Sequence, residues 1–270
     1  MKLDTDAKIV WCPGCGNYSI LKAFKNAVSE LPQTFEPEKM VIVSGVGCHG
    51  KIANYINLSS FHGIHGRVPS LMAGIKLANS ELTVVGFSGD GDTYNEGLVH
   101  LIHAAKKNIN ATLIVHNNKV YGLTTGQASA TSPRGFKGKS TPEGNPEDPL
   151  NTVALMLVSG AGFVARAFPG DIKHLTEIIK QAIMHRGFSF IDVLQPCVTF
   201  NNTWDYYRKS VYKIEKTPST LDEAIKLAYS STPSKIPIGI FYQKDKKTFE
   251  ELVRVEETGV GVEKVLESME

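Results

Sequence analysis

Little in this chain of 270 residues is in excess, and each shortage closes off a class of function. Charge is nearly balanced: 29 Lys and Arg against 27 Asp and Glu leave a formal net charge of +2. Nucleic acid is bound through a clearly basic surface, so none is expected as a partner. No apolar run is long enough to span a bilayer, and no basic stretch leads into an apolar core at the start. No membrane partner is therefore expected, and the expected setting is soluble and cytoplasmic. Cysteine is scarce, with four in all: Cys12, Cys15, Cys48 and Cys197. In a cytosolic chain so few thiols suggest metal or redox work before a disulfide framework. Internal repeats and low-complexity tracts are missing as well. What is there, 42% hydrophobic and 21% charged, suits one large globular domain with an appendage.

Apolar periodicity alternates between strand and helix. Met40–Ser44, Leu82–Ser88, Ala111–His116, Phe163–Ala167 and Ser189–Leu194 read as buried strands. A helix is expected from Ser19, a plausible N-cap, with Ile20, Leu21, Phe24, Ala27, Val28 and Leu31 on one face and Pro32 at its end. Others are expected from Pro69 to Asn79, over about 94–107, and over Leu150–Ser159 and Asp171–His185. Phe61–Arg67 and Gly122–Pro149 read as loops; the second is long enough to suggest function. This alternation predicts an α/β fold, a mainly parallel sheet with helices on both faces. The pattern changes at Gln195-Pro196-Cys197, so a domain over 1–195 and a C-terminal extension over 196–270 are expected. The extension should hold a helix near Leu221–Ser230 and a strand near Ile236–Phe241.

Two motifs fall where a strand ends and a loop begins, the place where open α/β sheets hold ligands. Gly89-Asp90-Gly91-Asp92 follows the strand Leu82–Ser88, and Asn117-Asn118 follows Ala111–His116. Asp90 offers a carboxylate, Asn118 an amide oxygen and Val120 a backbone carbonyl. A hard cation such as Mg²⁺ takes such oxygens and completes its shell with phosphate. Gly89 and Gly91 allow the backbone close to a diphosphate. Taken alone, Gly-Asp-Gly is an ordinary turn. The cysteines add a second theme. Cys12-x-x-Cys15, set among Pro13, Gly14 and Gly16, suits a tight turn around zinc or an iron–sulfur cluster, and equally a redox pair.

Gly-Asp-Gly, the gap from Asp92 to His116, and the double Asn resemble the thiamine diphosphate enzymes. With Trp11–Gly16, Gly45–Cys48, His65-Gly66-Arg67, Tyr121–Gln127 and Gln195–Cys197, the chain resembles the β subunits of 2-oxoacid:ferredoxin oxidoreductases. The resemblance covers residues 10–200 well and the extension loosely. It implies a thiamine diphosphate-binding fold, with Asp90, Asn118 and Val120 on Mg²⁺ and Cys12, Cys15, Cys48 and Cys197 on one [4Fe–4S] cluster. The expected cofactor contacts are Gly47, Cys48, His49, His65, Gly89, Asp90, Gly91, Asp92, Asn118, Val120, Tyr121, Gly122, Leu123 and Thr124. His65 and Arg67 are the expected catalytic pair, suited to proton movement and to anion recognition. His100, His103 and His116 are read as structural, and His49 and His62 are equally open to a packing role.

The implied chemistry is decarboxylation of a 2-oxoacid with coenzyme A as acyl acceptor and ferredoxin as electron acceptor. The implied partner is an α subunit, alone or fused with a γ domain. Gly-Leu-Thr-x-Gly-Gln looks more like the 2-oxoglutarate and broad-specificity branch than the pyruvate branch. The chain departs from relatives that carry lysine where His49 and Thr125 stand. Rival readings are a cluster-free thiamine decarboxylase, an indolepyruvate- or sulfopyruvate-type relative, and a non-catalytic zinc-binding α/β module.

Overall fold

The computed structural model describes residues 2–32 and 34–253. Its first helix, α1 (Asn17–Ser29), buries Ile20, Leu21, Phe24, Ala27 and Val28. It begins before the expected cap, with Gly16 at the N-cap position and Ser19 inside the helix. Asn17 is drawn inward because its side-chain oxygen meets His116 Nδ1 at 2.8 Å. Next come β1 (Met40–Ser44), a 3₁₀ segment over His49–Tyr55, and β2 (Ser59–His62). Part of the expected Phe61–Arg67 loop is thus strand. All of β2 is exposed at the sheet's edge, so it carries no burial pattern to read.

Helix α2 (Val68–Ala78) has Pro69 in its first turn, where a missing N–H costs nothing. Strand β3 (Thr83–Gly89) leads into a wide π-helical turn over Gly91–Glu96, and only then into α3 (Leu98–Lys107). The start expected near 94 is delayed because this segment serves the Asp92 carboxylate rather than a regular helix. Strand β4 (Ala111–Asn117) follows, then β5 (Val120–Tyr121) and β6 (Gln127–Ala128), a small antiparallel hairpin that opens the long loop. Helix α4 (Thr152–Val158) is capped by Asn151, whose side chain accepts from Ala154 N–H at 3.1 Å. Then come β7 (Phe163–Ala167), α5 (Ile172–Met184) capped by Asp171, and β8 (Ser189–Leu194). The polar, aromatic stretch after Cys197 folds as α6 (Trp204–Ser210) and β9 (Val211–Lys213). Helix α7 (Leu221–Tyr229) starts on a Thr220–Glu223 capping box, and β10 (Ile236–Gln243) and α8 (Phe249–Leu252) end the described chain.

The strands form one eight-stranded sheet in the order β2-β1-β3-β4-β8-β7-β10-β9. All pairs from β2 to β7 are parallel; β10 joins β7 antiparallel, and β9 runs parallel to β10. Helices α1 and α5 cover one face through a core with Phe24, Phe87, Ile114 and Ile179. Helices α2, α3, α4 and α7 cover the other around Met72, Leu101, Leu113, Phe190 and Phe241. Steps from β2 to β3 and from β3 to β4 use the second face, and the return from β7 to β8 uses the first. Right-handed crossovers require that exchange of faces when the direction of stepping reverses. The described residues after Cys197 extend this same sheet, and Tyr207, Ile236 and Ile238 pack on Phe168 and Leu194 at its far end. Among the described residues no helix is long and apolar enough to cross a membrane.

Candidate active site

The carboxyl ends of β1, β3 and β4 surround a cleft of ≈ 520 Å³, counting the space open to solvent. The residues expected to touch the cofactor all line it: Gly47–His49, His65, Gly89–Asp92, Asn118, and Val120–Thr124. Two glycines keep it open. Gly47 has φ +145°, and a β-carbon there would sit 2.7 Å from the His49 ring. At Gly91 a β-carbon would sit 2.4 Å from the Tyr121 ring. Arg67 is not among the lining residues; it stands half-buried at the N-cap of α2, with its charge felt by His100. His62 turns to Ser44 Oγ at 2.7 Å, and it does not line the cleft either.

Asp90 is buried, and one oxygen accepts from Ser129 Oγ at 2.5 Å and Thr131 Oγ1 at 3.1 Å. Those donors are neutral. Burial outweighs them and pushes the Asp90 carboxyl up to about 6. A buried carboxylate held only by neutral donors is the kind of group a cation stabilises, so Mg²⁺ fits here. The Asn118 amide oxygen accepts from Val120 N–H at 3.0 Å, which leaves it a lone pair to offer.

Asp92 does different work. Its carboxylate accepts from Gly66 N–H at 2.7 Å and Ser88 Oγ at 2.6 Å, and meets His49 Nε2 at 3.2 Å. His65 Nδ1 lies 2.8 Å from Asp92 Oδ1, without hydrogen-bond alignment. Burial raises the Asp92 carboxyl, but His49, Ser88 and Gly66 together outweigh burial and hold it below its ordinary value. One ionised carboxylate thus orients two histidines at the cleft wall.

The four thiols gather beside this cleft. A β-carbon on Gly122 would lie 3.7 Å from Cys197 Sγ and 4.0 Å from Cys48 Sγ. Burial, and then the nearness of Cys197, Cys48 and Cys12, push Cys15 up to about 11. Backbone bonds tie the pieces: Cys15 N–H donates to Cys12 O at 3.0 Å, and Gly16 N–H to Pro196 O at 3.2 Å. Trp11 Nε1 donates to Cys48 O at 2.6 Å, and Trp204 Nε1 to Gly14 O at 2.9 Å. Among the described residues no three His, Cys, Asp or Glu side chains converge on a point that would hold one ion. Around one zinc, sulfurs at about 2.3 Å from the metal would nearly touch. In a [4Fe–4S] cluster each thiolate binds a different iron, so the sulfurs stand wider apart. Four thiolates are a donor set that suits an iron–sulfur cluster and also zinc.

Comparison with known proteins settles the family. Residues 45–193 match the family described as "Thiamine pyrophosphate enzyme, C-terminal TPP binding domain". Residues 197–257 match the family for the C-terminal part of the pyruvate ferredoxin oxidoreductase beta subunit. A 2-oxoacid:ferredoxin oxidoreductase subunit beta of Saccharolobus solfataricus is 47% identical over 251 residues, 87% of this chain and 82% of that one. The chain belongs to the 2-oxoacid:ferredoxin oxidoreductase β subunits. It is a thiamine diphosphate-binding subunit of an oxidoreductase. The 2-oxoglutarate oxidoreductase subunit KorB of Mycobacterium tuberculosis is 43% identical over 206 residues, 76% of this chain and 55% of its own. The solved 2-oxoglutarate:ferredoxin oxidoreductase of Magnetococcus marinus, with 2-oxoglutarate, coenzyme A and succinyl-CoA bound, has a chain of TM-score 0.90 at 34% identity. That match covers 99% of this chain and 94% of the other.

Three further residues of this β subunit line the cleft: Val46 and Gln195, which lie within the stretches that carry the resemblance, and His116, which no motif marks. The expected structural role of His116 is only half its place: Nδ1 is held by Asn17, yet Nε2 has no hydrogen-bond partner among the described residues. Burial, and then His49, push its imidazole well below the ordinary value, so the ring is neutral. Its place directly before Asn117-Asn118 is the signal in the sequence that could have found it. Ser129 and Thr131, the donors on Asp90, come from the long loop and have no such signal.

Proposed function

We propose that this β subunit holds Mg²⁺–thiamine diphosphate and a [4Fe–4S] cluster side by side, for coenzyme A-dependent oxidative decarboxylation of a 2-oxoacid with ferredoxin as electron acceptor. The observation that carries the reading is that Cys48 belongs to both places: it lines the cleft and stands with the other three thiols. When bound, the thiazolium ring of thiamine supplies the electron sink for loss of CO₂, and the cluster accepts single electrons. Asp90, Asn118 and the Val120 carbonyl would hold Mg²⁺. Gly89–Asp92 and Gly47 give the diphosphate a wall without side-chain bulk. Tyr121 and Leu123 flank the mouth. His65 and His49, fixed by Asp92, can hold or pass a proton at the cleft wall, which is the catalytic role proposed for His65.

The 2-oxoglutarate oxidoreductase names among the relatives favour a substrate with a second carboxylate. Lys139 Nζ donates to Thr125 Oγ1 at 2.5 Å, next to the position where some relatives carry lysine, and this supports Lys139 as the stand-in for that lysine. Lys139 can therefore offer an ammonium at the loop mouth. The reading is tested on anaerobically purified protein, co-produced with its α subunit, by iron and acid-labile sulfide analysis and by viologen reduction with a panel of 2-oxoacids. Cluster content of about four irons per β chain, lost in Cys12→Ser or Cys197→Ser together with viologen reduction, is the expected result. Zinc without sulfide, or full iron and sulfide in both variants, would overturn it.

A further inference from the structure

A second cleft opens on the same end of the sheet, beyond β4, and is not part of the cofactor site. It encloses ≈ 850 Å³, counting space open to solvent, between the ends of β4, β8 and β7 and the helices α4, α6 and α7. Three donors converge on it. Arg166 is 7% exposed; its Nε lies 3.5 Å from Asp192 Oδ2 without forming a hydrogen bond, and one of its NH groups donates to Ser231 Oγ at 3.3 Å. Lys119, held at φ +62°, sits with Nζ 5.9 Å from the centre of the Tyr207 ring and makes no close ion pair among the described residues. Tyr207 is 1% exposed, and its hydroxyl makes no hydrogen bond with any described residue.

The acceptors in the cleft are already committed. Asp192 takes Asn117 Nδ2 at 3.0 Å and Tyr94 OH at 3.1 Å on one oxygen, and Thr152 Oγ1 at 2.9 Å on the other. Asp90 is the other carboxylate near Lys119; with it given to Mg²⁺, as the proposed function has it, two cations face Asp192 alone, whose lone pairs are largely used, and one positive charge is left in excess in a low-dielectric cleft. Buried donors are normally paired, so this convergence calls for an acceptor that the chain does not supply. Leu150, Pro233 and Ile236 give the walls an apolar character above the charges.

We propose that this second cleft binds the carboxylate of a small organic acid, with Lys119, Arg166 and the Tyr207 hydroxyl on its oxygens and its apolar part against Leu150 and Pro233. A single excess charge favours a monoanion over phosphate. The test is calorimetric titration of the full chain with its α subunit, at constant ionic strength, with thiamine diphosphate and Mg²⁺ saturating so that the diphosphate wall is filled. Butyrate and inorganic phosphate are the probes. Butyrate should bind saturably and more tightly than phosphate. Its affinity should fall at least tenfold in Lys119→Met and severalfold in Tyr207→Phe, which removes one oxygen and no packing volume. No saturable butyrate binding, tighter phosphate binding, or butyrate affinity unchanged in both variants would overturn the proposal. None of these outcomes depends on the cluster or on the 2-oxoacid assigned above.

Discussion

At the scale of single residues, the two aspartates of Gly-Asp-Gly-Asp show how environment divides labour between identical groups. Asp92 gains a histidine contact and two strong donors and stays ionised; Asp90 gains only neutral donors and is pushed up to about 6. That difference has a sign that can be tested. Because the folded Asp90 value lies above the unfolded value of 3.8, its contribution to stability is fully present below 3.8 and is lost as pH rises through about 6. The cofactor-free protein should therefore lose stability on the order of 2 kcal/mol between pH 4 and 7 from this group alone. Thermal melts against pH should show that loss in the wild type, its removal in Asp90→Asn, and its reversal when Mg²⁺ and thiamine diphosphate are added to the wild type. A wild-type curve that matches Asp90→Asn with and without cofactor would remove Asp90 from the metal role.

At the scale of elements, α5 depends on its cap. The Asp171 side chain accepts from His174 N–H at 3.0 Å and meets Lys213 Nζ of β9 at 2.7 Å. Burial raises the Asp171 carboxyl, but Lys213 and the His174 N–H outweigh burial and hold it below 3.8. A depressed value contributes stability above the unfolded pKa and loses it as pH falls through the folded one. Asp171→Ala should cost about 1 kcal/mol at neutral pH by denaturant titration, and Asp171→Asn, which keeps the cap, clearly less. The mouth loop makes a separate prediction. Lys139→Ala should raise KM for 2-oxoglutarate about tenfold and leave KM for pyruvate unchanged; equal effects on both would show that the ammonium does not read the distal carboxylate. Elements such as α5, β3 and β4 are legible in the sequence because their apolar periodicity is strong and their caps are ordinary. The edge strand β2 is not, since exposed residues carry no alternation. Nor is the delayed start of α3, since the turn before it is set by bonds from Asp92 to Gly66 and Ser88, which no local pattern encodes. In the cleft, the glycine and asparagine motifs mark the strand ends correctly, while Arg67, close in sequence to His65, lies outside the cleft because α2 begins there.

At the scale of the whole molecule, the sheet is a single layer covered on both faces, and the described residues after Cys197 complete it rather than starting another. This bears on what the chain can do alone. Thiamine is activated by a carboxylate against its aminopyrimidine ring, which favours the tautomer that removes the thiazolium proton. The acidic groups lining this cleft are Asp90, proposed for the metal, and Asp92, spent on His49, His65 and Gly66; Glu96 stands behind Tyr121, and no glutamate among the described residues lines the cleft itself. The cleft is also open at the side of Tyr121 and Leu123, and Leu123 is 48% exposed. Both facts point to a site completed by another chain, as cofactor sites at interfaces often are. The β-subunit family implies an α subunit for that place. The isolated chain should then bind thiamine diphosphate at least tenfold more weakly than the αβ complex, because the pyrimidine end has no wall and no carboxylate. It should reduce no viologen with any 2-oxoacid until the α subunit is added. Calorimetry and an anaerobic dye assay on β chain shown free of α by mass spectrometry measure both quantities. Turnover by the isolated chain at the rate of the complex would mean that the activating carboxylate lies within these 270 residues after all.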